Sequence, residues 1–309
     1  MSKKNTPEVS VCICTYKRPA LLLQLLESLA KQTFSIDRFE VIVVDNDKYA
    51  SAKPTILQLS QRYPELLVQY EVEPKSGISY ARNKTVALAS GELLAFIDDD
   101  EWAVSNWLSD LVENMANQGA DAVLGPVIPQ FPEGTRPWAV NSRFFERPRF
   151  ATGTSIGWKT CRTGNALVKA HWPKSRQSLP FGEHFALSGG EDSDFFKWLE
   201  RQGGKLIWCD TAAVNEIVPL SRQTLRFILQ RCLRTSTQYW RDEYKVHPKW
   251  WALKKAFFGL LGGTSLLLLG GLLLPLGLGQ SVRTWSKGMK GFGRVAALAN
   301  RVLNGYGTT

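Results

Sequence analysis

Three consecutive aspartates, Asp98, Asp99 and Asp100, follow the apolar run LLAFI in this chain of 309 residues. Neighbouring carboxylates repel one another, and each is costly to remove from water unless a cation or hydrogen-bond donors meet it. Carboxylate oxygens are also the ligands that divalent cations such as Mg²⁺ prefer. The run therefore predicts a site where a divalent cation bridges carboxylates and the phosphate oxygens of a ligand.

A second group of acids follows the glycine pair Gly189–Gly190. Glu191, Asp192 and Asp194 lie where the pattern predicts the start of a helix that ends near Gly203–Gly204. Acids at a helix N-terminus are favoured by the helix dipole, by about 0.3–1 kcal/mol each. That effect accounts for one or two acids. A glycine pair that exposes Glu-Asp at a loop–helix junction favours a functional acid as well.

The intervening sequence predicts the elements that hold these acids. Continuous apolar runs alternate with amphipathic helices, which predicts a parallel sheet covered on both faces. Ligands of such sheets bind at the carboxyl ends of the strands. We therefore expect the segment CTYKRP, Asp45 and the three aspartates to meet at one edge, although either Asp45 or Asp98 alone could be only a cap or turn former. The predicted strands are 9–16, 39–46, 67–73 and 92–100.

Several kinds of site are excluded by what the sequence lacks. No G-x-G-x-x-G follows the first predicted strand, and the sequence contains no Walker P-loop. The three histidines are scattered, and the five cysteines have no metal-binding spacing. Cys12 and Cys14 lie two residues apart on a predicted strand, so we expect them to pack on one face as small hydrophobic residues.

The charge of the chain is concentrated in its C-terminal part. The net charge is +10, and residues from Arg226 onward carry 13 Lys and Arg against two Asp and Glu. The adjoining segment 256–279 has no charged residue, and we expect Gly262–Gly263, Gly270–Gly271 and Pro275 to divide it into shorter apolar pieces. A solvated nucleic-acid arm would not be this apolar, so no nucleic-acid partner is expected.

Basic residues on both sides of segment 256–279 favour membrane attachment as a re-entrant hairpin or as interfacial helices. A buried pair of core helices is the alternative. The first ten residues contain no signal-peptide core, so we expect a cytosolic catalytic part. The predicted subdivision is a first half (1–120) and a second half (121–222) of the sheet domain, a basic helical segment (223–255) and a membrane-associated tail (256–309).

Five segments, in this order and spacing, resemble family 2 glycosyltransferases with the GT-A fold, over residues 9 to about 218. With the basic, apolar tail, the chain is most similar to bacterial exopolysaccharide glucosyltransferases of the succinoglycan type. The resemblance implies an inverting transfer of one hexose from a UDP-sugar to a lipid-linked saccharide at the cytoplasmic face of the inner membrane. The segments are VSVCICTYKRP, FEVIVVDND, GISYARNKTVALASGELLAFIDDDEW, TGNALV and GGEDSDFF.

The resemblance implies that residues 1–120 form the nucleotide-sugar half of the domain and residues 121–222 the acceptor half, and it also implies roles for individual residues. Asp100 and Asp98 would bind Mg²⁺ or Mn²⁺, with Asp98 and Asp99 near the ribose, and Asp192 would be the catalytic base with Glu191 beside it. The other residues that it implies for the nucleotide-sugar are Thr15, Tyr16, Arg18, Asp45 at the uracil, Arg82, and Gly164 and Asn165 near the donor sugar.

The chain departs from wider patterns of this fold in two places. Many relatives place a metal-binding histidine after the last core strand, whereas this chain has Asn215 and Glu216 there. The Q-x-x-R-W pattern of processive synthases is absent, because no tryptophan follows Arg234. Arg231 and Arg234 could bind a diphosphate or face solvent. The loop 132–160 could contact the acceptor diphosphate or the membrane, or form a surface lid.

Two rival functions fit the same elements less well. A sugar-phosphate nucleotidyltransferase also combines a parallel sheet with a metal, but its glycine-rich loop near the start is absent here. A non-catalytic membrane scaffold would not need both acid groups intact.

Overall fold

The structure, a computed structural model, describes residues 6–299. Two compact units form: the sheet unit, which comprises residues up to Ile128 together with Arg147–Glu216, and the helical unit, which comprises Pro129–Glu146 together with the residues from Ile217 onward. The strands are β1 (Val9–Thr15), β2 (Phe39–Asp45), β3 (Val68–Val72), β4 (Leu93–Ile97), β5 (Glu101–Ala103), β6 (Ala122–Leu124), β7 (Val127–Gln130), β8 (Asn165–Lys169), β9 (Leu206–Trp208) and β10 (Val214–Ile217). The helices are α1 (Pro19–Leu29), α2 (Lys53–Arg62), α3 (Ile78–Leu88), α4 (Trp107–Gln118), α5 (Pro137–Asn141), α6 (His171–Ser175), α7 (Glu191–Arg201), α8 (Leu225–Val246), α9 (Lys249–Leu272) and α10 (Leu278–Leu298).

The main sheet has the strand order β3-β2-β1-β4-β8-β6-β9. The first four of these strands are parallel, as the sequence predicts, and β8 runs antiparallel to both β4 and β6. A smaller sheet has the order β5-β10-β7. The antiparallel β8 brings its first residue, Asn165, opposite the last residue of β4, Ile97. Residues at the start of β8 therefore reach the edge where β1, β2 and β4 end.

Helices cover both faces of the main sheet, which explains why β2 is buried along its whole length and apolar at all positions except Glu40 and Asp45. Val41 and Val43 pack into a core with α1 and α4, whereas Ile42 and Val44 pack into the opposite core with α3 and α7. Cys12 is buried in this second core and Cys14 packs against it, which confirms the expectation for the two cysteines.

In the helical unit, α9 and α10 form an antiparallel hairpin. Gly263 of α9 lies against Gly288 of α10, and the two helices are so close that a Cβ on Gly263 would stand 3.0 Å from the Gly288 carbonyl oxygen. Trp285 donates a hydrogen bond from its indole nitrogen to the carbonyl of Leu267, at 3.0 Å. Small residues thus let the helix backbones approach closely.

The expectation that the glycine pairs interrupt segment 256–279 is wrong. The helix α9 runs unbroken through Gly262–Gly263 and Gly270–Gly271. Glycine weakens a helix mainly because it gains nothing from a side chain and loses more backbone freedom. Here the close contact with α10 compensates for that cost. The expectation for Pro275 is confirmed, because α9 ends at Leu272 and a short 3-10 turn contains the proline.

Candidate active site

The first acid group lies just beyond the end of β4, and its middle member is anchored inside the protein. Asp99 is buried and accepts hydrogen bonds from the Thr15 hydroxyl at 2.8 Å and from the Arg18 guanidinium at 2.9 Å. Burial raises the pKa of Asp99, and Arg18 opposes that rise. The same Arg18 nitrogen lies 3.2 Å from Asp100. Thr15 and Arg18, from the end of β1, therefore hold the acid run in place.

Asp98 is more exposed than Asp99: the chain turns here, with the Glu101 N–H donating to the Asp98 carbonyl at 3.1 Å, and Asp98 faces the open space beside the acid groups, which we call the cleft. Its side chain keeps 46% of its surface exposed, and its carboxylate lies 3.6 Å from the Arg82 guanidinium. Enclosure by protein groups raises the pKa of Asp98 to about 7; Arg82 opposes the rise, and the neighbouring carboxylates of Asp100 and Asp99 add to it. A cation bound in the cleft would therefore stabilise the charged form of the Asp98 carboxylate.

Glu101 completes this acid group, although the sequence analysis did not single it out. It is buried, and its carboxyl accepts a hydrogen bond from the backbone N–H of Asp98 at 3.1 Å. Burial raises the pKa of Glu101 well above its ordinary value, and Asp98 adds to that rise. In β5 it stands opposite Glu216 of β10. The acid run thus continues for one further residue. The signal in the sequence is that Glu101 directly follows the three aspartates.

Gly164 lies directly over these two carboxyls. A Cβ there would stand 2.8 Å from Glu101 Oε1 and 3.1 Å from Asp98 Oδ2. A side chain at this position would therefore occupy the space beside the carboxylates. The glycine keeps that space open, which suits the role near the donor sugar expected for it.

The second acid group begins α7. Gly189 and Gly190 precede it with φ of 75° and 101°, a left-handed region that favours glycine, so this pair makes the sharp turn into the helix. Glu191, the first residue of the helix, is buried and forms an ion pair with Arg82, which is buried as well. Burial alone would lower the pKa of Arg82, but the Glu191 carboxylate outweighs it and raises that pKa.

Arg82 connects the two acid groups, since it also contacts Asp98. The family resemblance implies that this arginine binds the nucleotide. In the structure its guanidinium lies inside the protein and stacks over the Phe181 ring, with 5.3 Å between the guanidinium carbon and the ring centroid. Arg82 therefore positions acids on both sides of the cleft, and its contact with a nucleotide stays a prediction.

Asp192 is less buried than Glu191 and, unlike Asp194, makes no close ion pair with an arginine. Its side chain is 18% exposed, against 5% for Glu191. It accepts a hydrogen bond from the backbone N–H of Ser193 at 2.6 Å and lies 3.9 Å from the Arg162 guanidinium. Asp194, in contrast, is bound by Arg176 at 2.8 Å. Of the three acids at the helix start, Asp192 is the one whose surroundings suit proton transfer from a ligand.

Two other predicted residues are fully engaged with the protein. The Asp45 side chain is buried and accepts hydrogen bonds from the backbone N–H groups of Asp47 and Ala52, at 2.9 and 2.8 Å, and from the Tyr70 hydroxyl at 3.0 Å. These bonds fix the loop that follows β2. A hydrogen bond to uracil, which stays a prediction, would require Asp45 to share its oxygens with that base.

Asn165 is buried in the same manner. Its amide nitrogen donates to the carbonyls of Pro126 and Ala212, at 3.0 and 2.8 Å, and its oxygen accepts from the Trp107 indole at 2.9 Å. It therefore supports Gly164 from below. Tyr16, in contrast, is 51% exposed beside the anchored Thr15.

The donor atoms at the end of β4 suit a hard divalent cation. Asp98 and Asp100 offer carboxylate oxygens, and the missing side chain of Gly164 leaves room beside Asp98. Within residues 6–299 the structure contains no cluster of three or more His, Cys, Asp or Glu side chains arranged around a metal position. A cation held by the two aspartates would therefore take its remaining ligands from bound molecules, as Mg²⁺ commonly does with phosphates.

Residues 10–167, slightly more than half of the chain, match the protein family described as Glycosyl transferase family 2. The chain belongs to this family, and it is a glycosyltransferase. Its similarity to the succinoglycan biosynthesis protein ExoM of Rhizobium meliloti (strain 1021) extends over 242 residues at 34% identity, covering 77% of this chain and 75% of that one. Validoxylamine A glucosyltransferase of Streptomyces hygroscopicus subsp. jinggangensis is 27% identical over 224 residues, covering 63% and 49% of the two chains.

Solved structures show the same fold. A mannosyltransferase from Pyrobaculum calidifontis, in complex with GDP-Man and Mn²⁺, superimposes with a TM-score of 0.64 at 20% identity, covering 95% of this chain and 86% of that one. TarS of S. aureus (residues 1–349), in complex with UDP, gives a TM-score of 0.54 at 18% identity, covering 95% and 91%. The GT-A fold expected from the sequence is confirmed.

Proposed function

We propose that this protein transfers one hexose from a UDP-sugar, with glucose as the preferred hexose, to a hydroxyl of a lipid-linked saccharide used for a bacterial surface polysaccharide. The observation that carries the proposal is that Arg82 joins the carboxylate pair Asp98–Asp100 to the helix start that presents Asp192. The names of the relatives support the substrate class, since they include a succinoglycan biosynthesis protein and a glucosyltransferase.

The residues divide the reaction between them. Asp98 and Asp100 would hold Mg²⁺ or Mn²⁺, which offsets the negative charge that develops on the departing diphosphate. Asp192 accepts the proton of the acceptor hydroxyl. At the same time the oxygen of that hydroxyl bonds to the anomeric carbon, and the bond from that carbon to the diphosphate breaks. Attack opposite the leaving group inverts the anomeric carbon. Glu191 keeps its place in the buried pair with Arg82 and leaves the proton to Asp192.

We place the acceptor at the cytoplasmic face of the bacterial inner membrane. Among residues 6–299, one helix, α9, is long and apolar enough to cross a bilayer, with a mean hydropathy of 1.5 and 22% of its most apolar window buried. Large side chains on it are exposed, including Phe257, Leu261 and Leu268. Basic residues of α10 such as Arg283 and Lys287 would meet anionic lipid headgroups. This arrangement supports attachment of the helical hairpin to the cytoplasmic leaflet.

Calorimetric titration of the detergent-solubilised protein with UDP, with and without Mn²⁺, tests the donor site. We expect metal-dependent binding that Asp100→Ala weakens by about 10-fold or more, because the cation loses one of its two protein ligands. Unchanged metal dependence in this variant would contradict the role of Asp100. Binding of GDP or dTDP in place of UDP would change the donor but keep the transferase, whereas no binding of any nucleotide would favour a non-catalytic scaffold.

A further inference from the structure

The sheet unit contains a cavity of about 160 Å³ to which the reaction described above assigns no group; Asn165, expected near the donor sugar, is among its lining residues. We call it the basic cavity, because Arg147, Lys159 and Arg162 contribute to its lining. Thr160 and the Trp208 ring line it as well, and none of the described lining residues is Asp or Glu. Three cationic side chains around so small a space predict an anionic ligand.

The contacts of these cations leave them able to bind a further group. Arg147 lies 3.4 Å from Glu216, and Arg162 lies 3.9 Å from Asp192, both longer than a strong charge-assisted hydrogen bond. Arg162 also donates to the backbone carbonyls of Lys159, at 3.2 Å, and Cys161. Each guanidinium has five N–H donors, so these contacts do not exhaust it. The Lys159 ammonium lies 5.8 Å from the Trp158 ring centroid and makes no ion pair or hydrogen bond with the residues that the structure describes.

We propose that the basic cavity binds a phosphate group of the acceptor, carried as a phosphate or diphosphate ester. The proposal rests on the function proposed above and names the part of the acceptor that is recognised. A diphosphate carries more than one negative charge and several acceptor oxygens, which match two arginines and a lysine. A single carboxylate offers only two acceptor oxygens, whereas Arg147 and Arg162 have donors left beyond their contacts with Glu216 and Asp192 and Lys159 has three.

The size and the walls of the basic cavity agree with this ligand. Its volume of about 160 Å³ is below the roughly 300–1,000 Å³ of pockets that enclose a whole small molecule. It therefore suits one charged group of a larger acceptor. Pro148 and Trp208 supply apolar wall for the carbon atoms attached to the phosphate.

The position of the basic cavity limits the length of the acceptor. Arg162 lines it and also lies beside Asp192. A phosphate bound there is one side chain away from the acid that takes the proton of the reacting hydroxyl. That hydroxyl therefore belongs to the sugar that carries the phosphate or to the sugar next to it, and a short lipid-linked saccharide is the expected acceptor.

Lys159→Gln provides the direct test, with Lys197→Gln as the matched control. Both lysines lie over the same Trp158 ring, at 5.8 and 5.2 Å, but only Lys159 lines the basic cavity. We would titrate the detergent-solubilised full chain with inorganic pyrophosphate in the presence of EDTA, so that binding does not depend on a metal. We expect Lys159→Gln to weaken this binding by about 10-fold and Lys197→Gln to leave it unchanged.

Transfer kinetics then identify the source of the phosphate. With a prenyl diphosphate-linked monosaccharide as acceptor, Lys159→Gln should raise the KM for that acceptor about 10-fold and leave its KM for an alkyl glycoside without phosphate unchanged. Equal effects on both acceptors, equal effects of the two lysine variants, or no pyrophosphate binding by the unaltered protein would each overturn the proposal. Tighter binding of inorganic phosphate than of the prenyl diphosphate ester would overturn its assignment to the acceptor.

Titration with UDP and Mn²⁺ on the same preparation separates this inference from the proposed function. Retained UDP binding without pyrophosphate binding would contradict the proposed acceptor-phosphate site and leave the proposed transferase function standing. The pyrophosphate titration and the comparison of KM values for the two acceptors test whether the basic cavity binds the acceptor phosphate, whichever nucleotide the donor carries.

Discussion

The two acid groups, one after β4 and one at the start of α7, each combine a buried acid with a more exposed one, but their backbones differ. After β4 the chain turns, with the Glu101 N–H donating to the Asp98 carbonyl at 3.1 Å, and within this turn Asp99 is buried whereas Asp98 remains open to the cleft. At the start of α7 consecutive residues are rotated around a helix, and Glu191 is buried while Asp192 is accessible. In each group one acid is anchored by an arginine and its neighbour is left for chemistry. The position of an acid relative to its backbone, more than its presence in a run, decides its role.

The two anchors differ in their surroundings. Arg82 and Glu191 are both buried, whereas the Arg18 side chain is 42% exposed while it holds Asp99. A buried pair depends on both partners being present, because a single buried charge is costly. An exposed pair is weakened by water and salt. The helix-start acids should therefore be more sensitive to loss of their arginine than the strand-end acids.

The largest effect on catalysis is expected for Asp192, at the start of α7. Asp192→Asn should lower kcat by about 10²–10⁴-fold, because the proton of the acceptor hydroxyl loses its acceptor. Donor binding should be unchanged in calorimetry. Asp194→Asn is the matched control, since Asp194 lies two residues further on and is bound by Arg176. An equal loss of donor binding in Asp192→Asn, or an equal loss of kcat in Asp194→Asn, would contradict the division of roles within this group.

The buried anchor comes next. Arg82→Met should lower the free energy of unfolding by about 3–5 kcal/mol, because Glu191 is left buried without its cation. Replacing both residues, as Arg82→Met with Glu191→Met, should recover much of that loss, since no buried charge remains. Chemical denaturation of the single and double variants measures both effects. A double variant no more stable than the single one would show that the arginine acts through packing on Phe181 instead.

The smallest effect is expected for the exposed anchor. Arg18→Gln should lower the free energy of unfolding by about 1 kcal/mol or less, because solvent screens its pair with Asp99. The loss should shrink further when denaturation is repeated at high salt. A loss that matches that of Arg82→Met would mean that the two anchors are equivalent, and the contrast between the acid groups would fail.

Much of the fold was predictable because periodicity reports burial. The runs at 9–16 and 39–46 predicted β1 and β2 to within a residue, since strands covered on both faces are mostly apolar. The antiparallel β8 was not predicted, because the direction of a strand depends on the path of the chain before it. The unbroken course of α9 was missed for a similar reason: glycine propensity is local, whereas the packing of α10 that offsets it is not.

The site was predictable as a set of residue types and less so as a set of contacts. The acid runs and the glycines before α7 can be read directly from the sequence. The burial of Arg82 beside Glu191, 109 residues further on, depends on tertiary packing that no local pattern encodes. Glu101 was given no role although it directly follows the three aspartates, and Arg147 was considered only as part of the loop 132–160, because the groups that each of them meets depend on tertiary packing.

The close approach of α9 and α10 sets opposite evolutionary pressures on neighbouring glycines. A methyl group on Gly262 would meet no atom within 4 Å, so Gly262→Ala would gain about 1 kcal/mol of helix propensity. On Gly263 the same methyl group would press against the Gly288 carbonyl at 3.0 Å. In lineages that descend from this chain, drift should therefore replace Gly262 freely and keep Gly263. The two adjacent positions would then show which side of the helix is packed against α10.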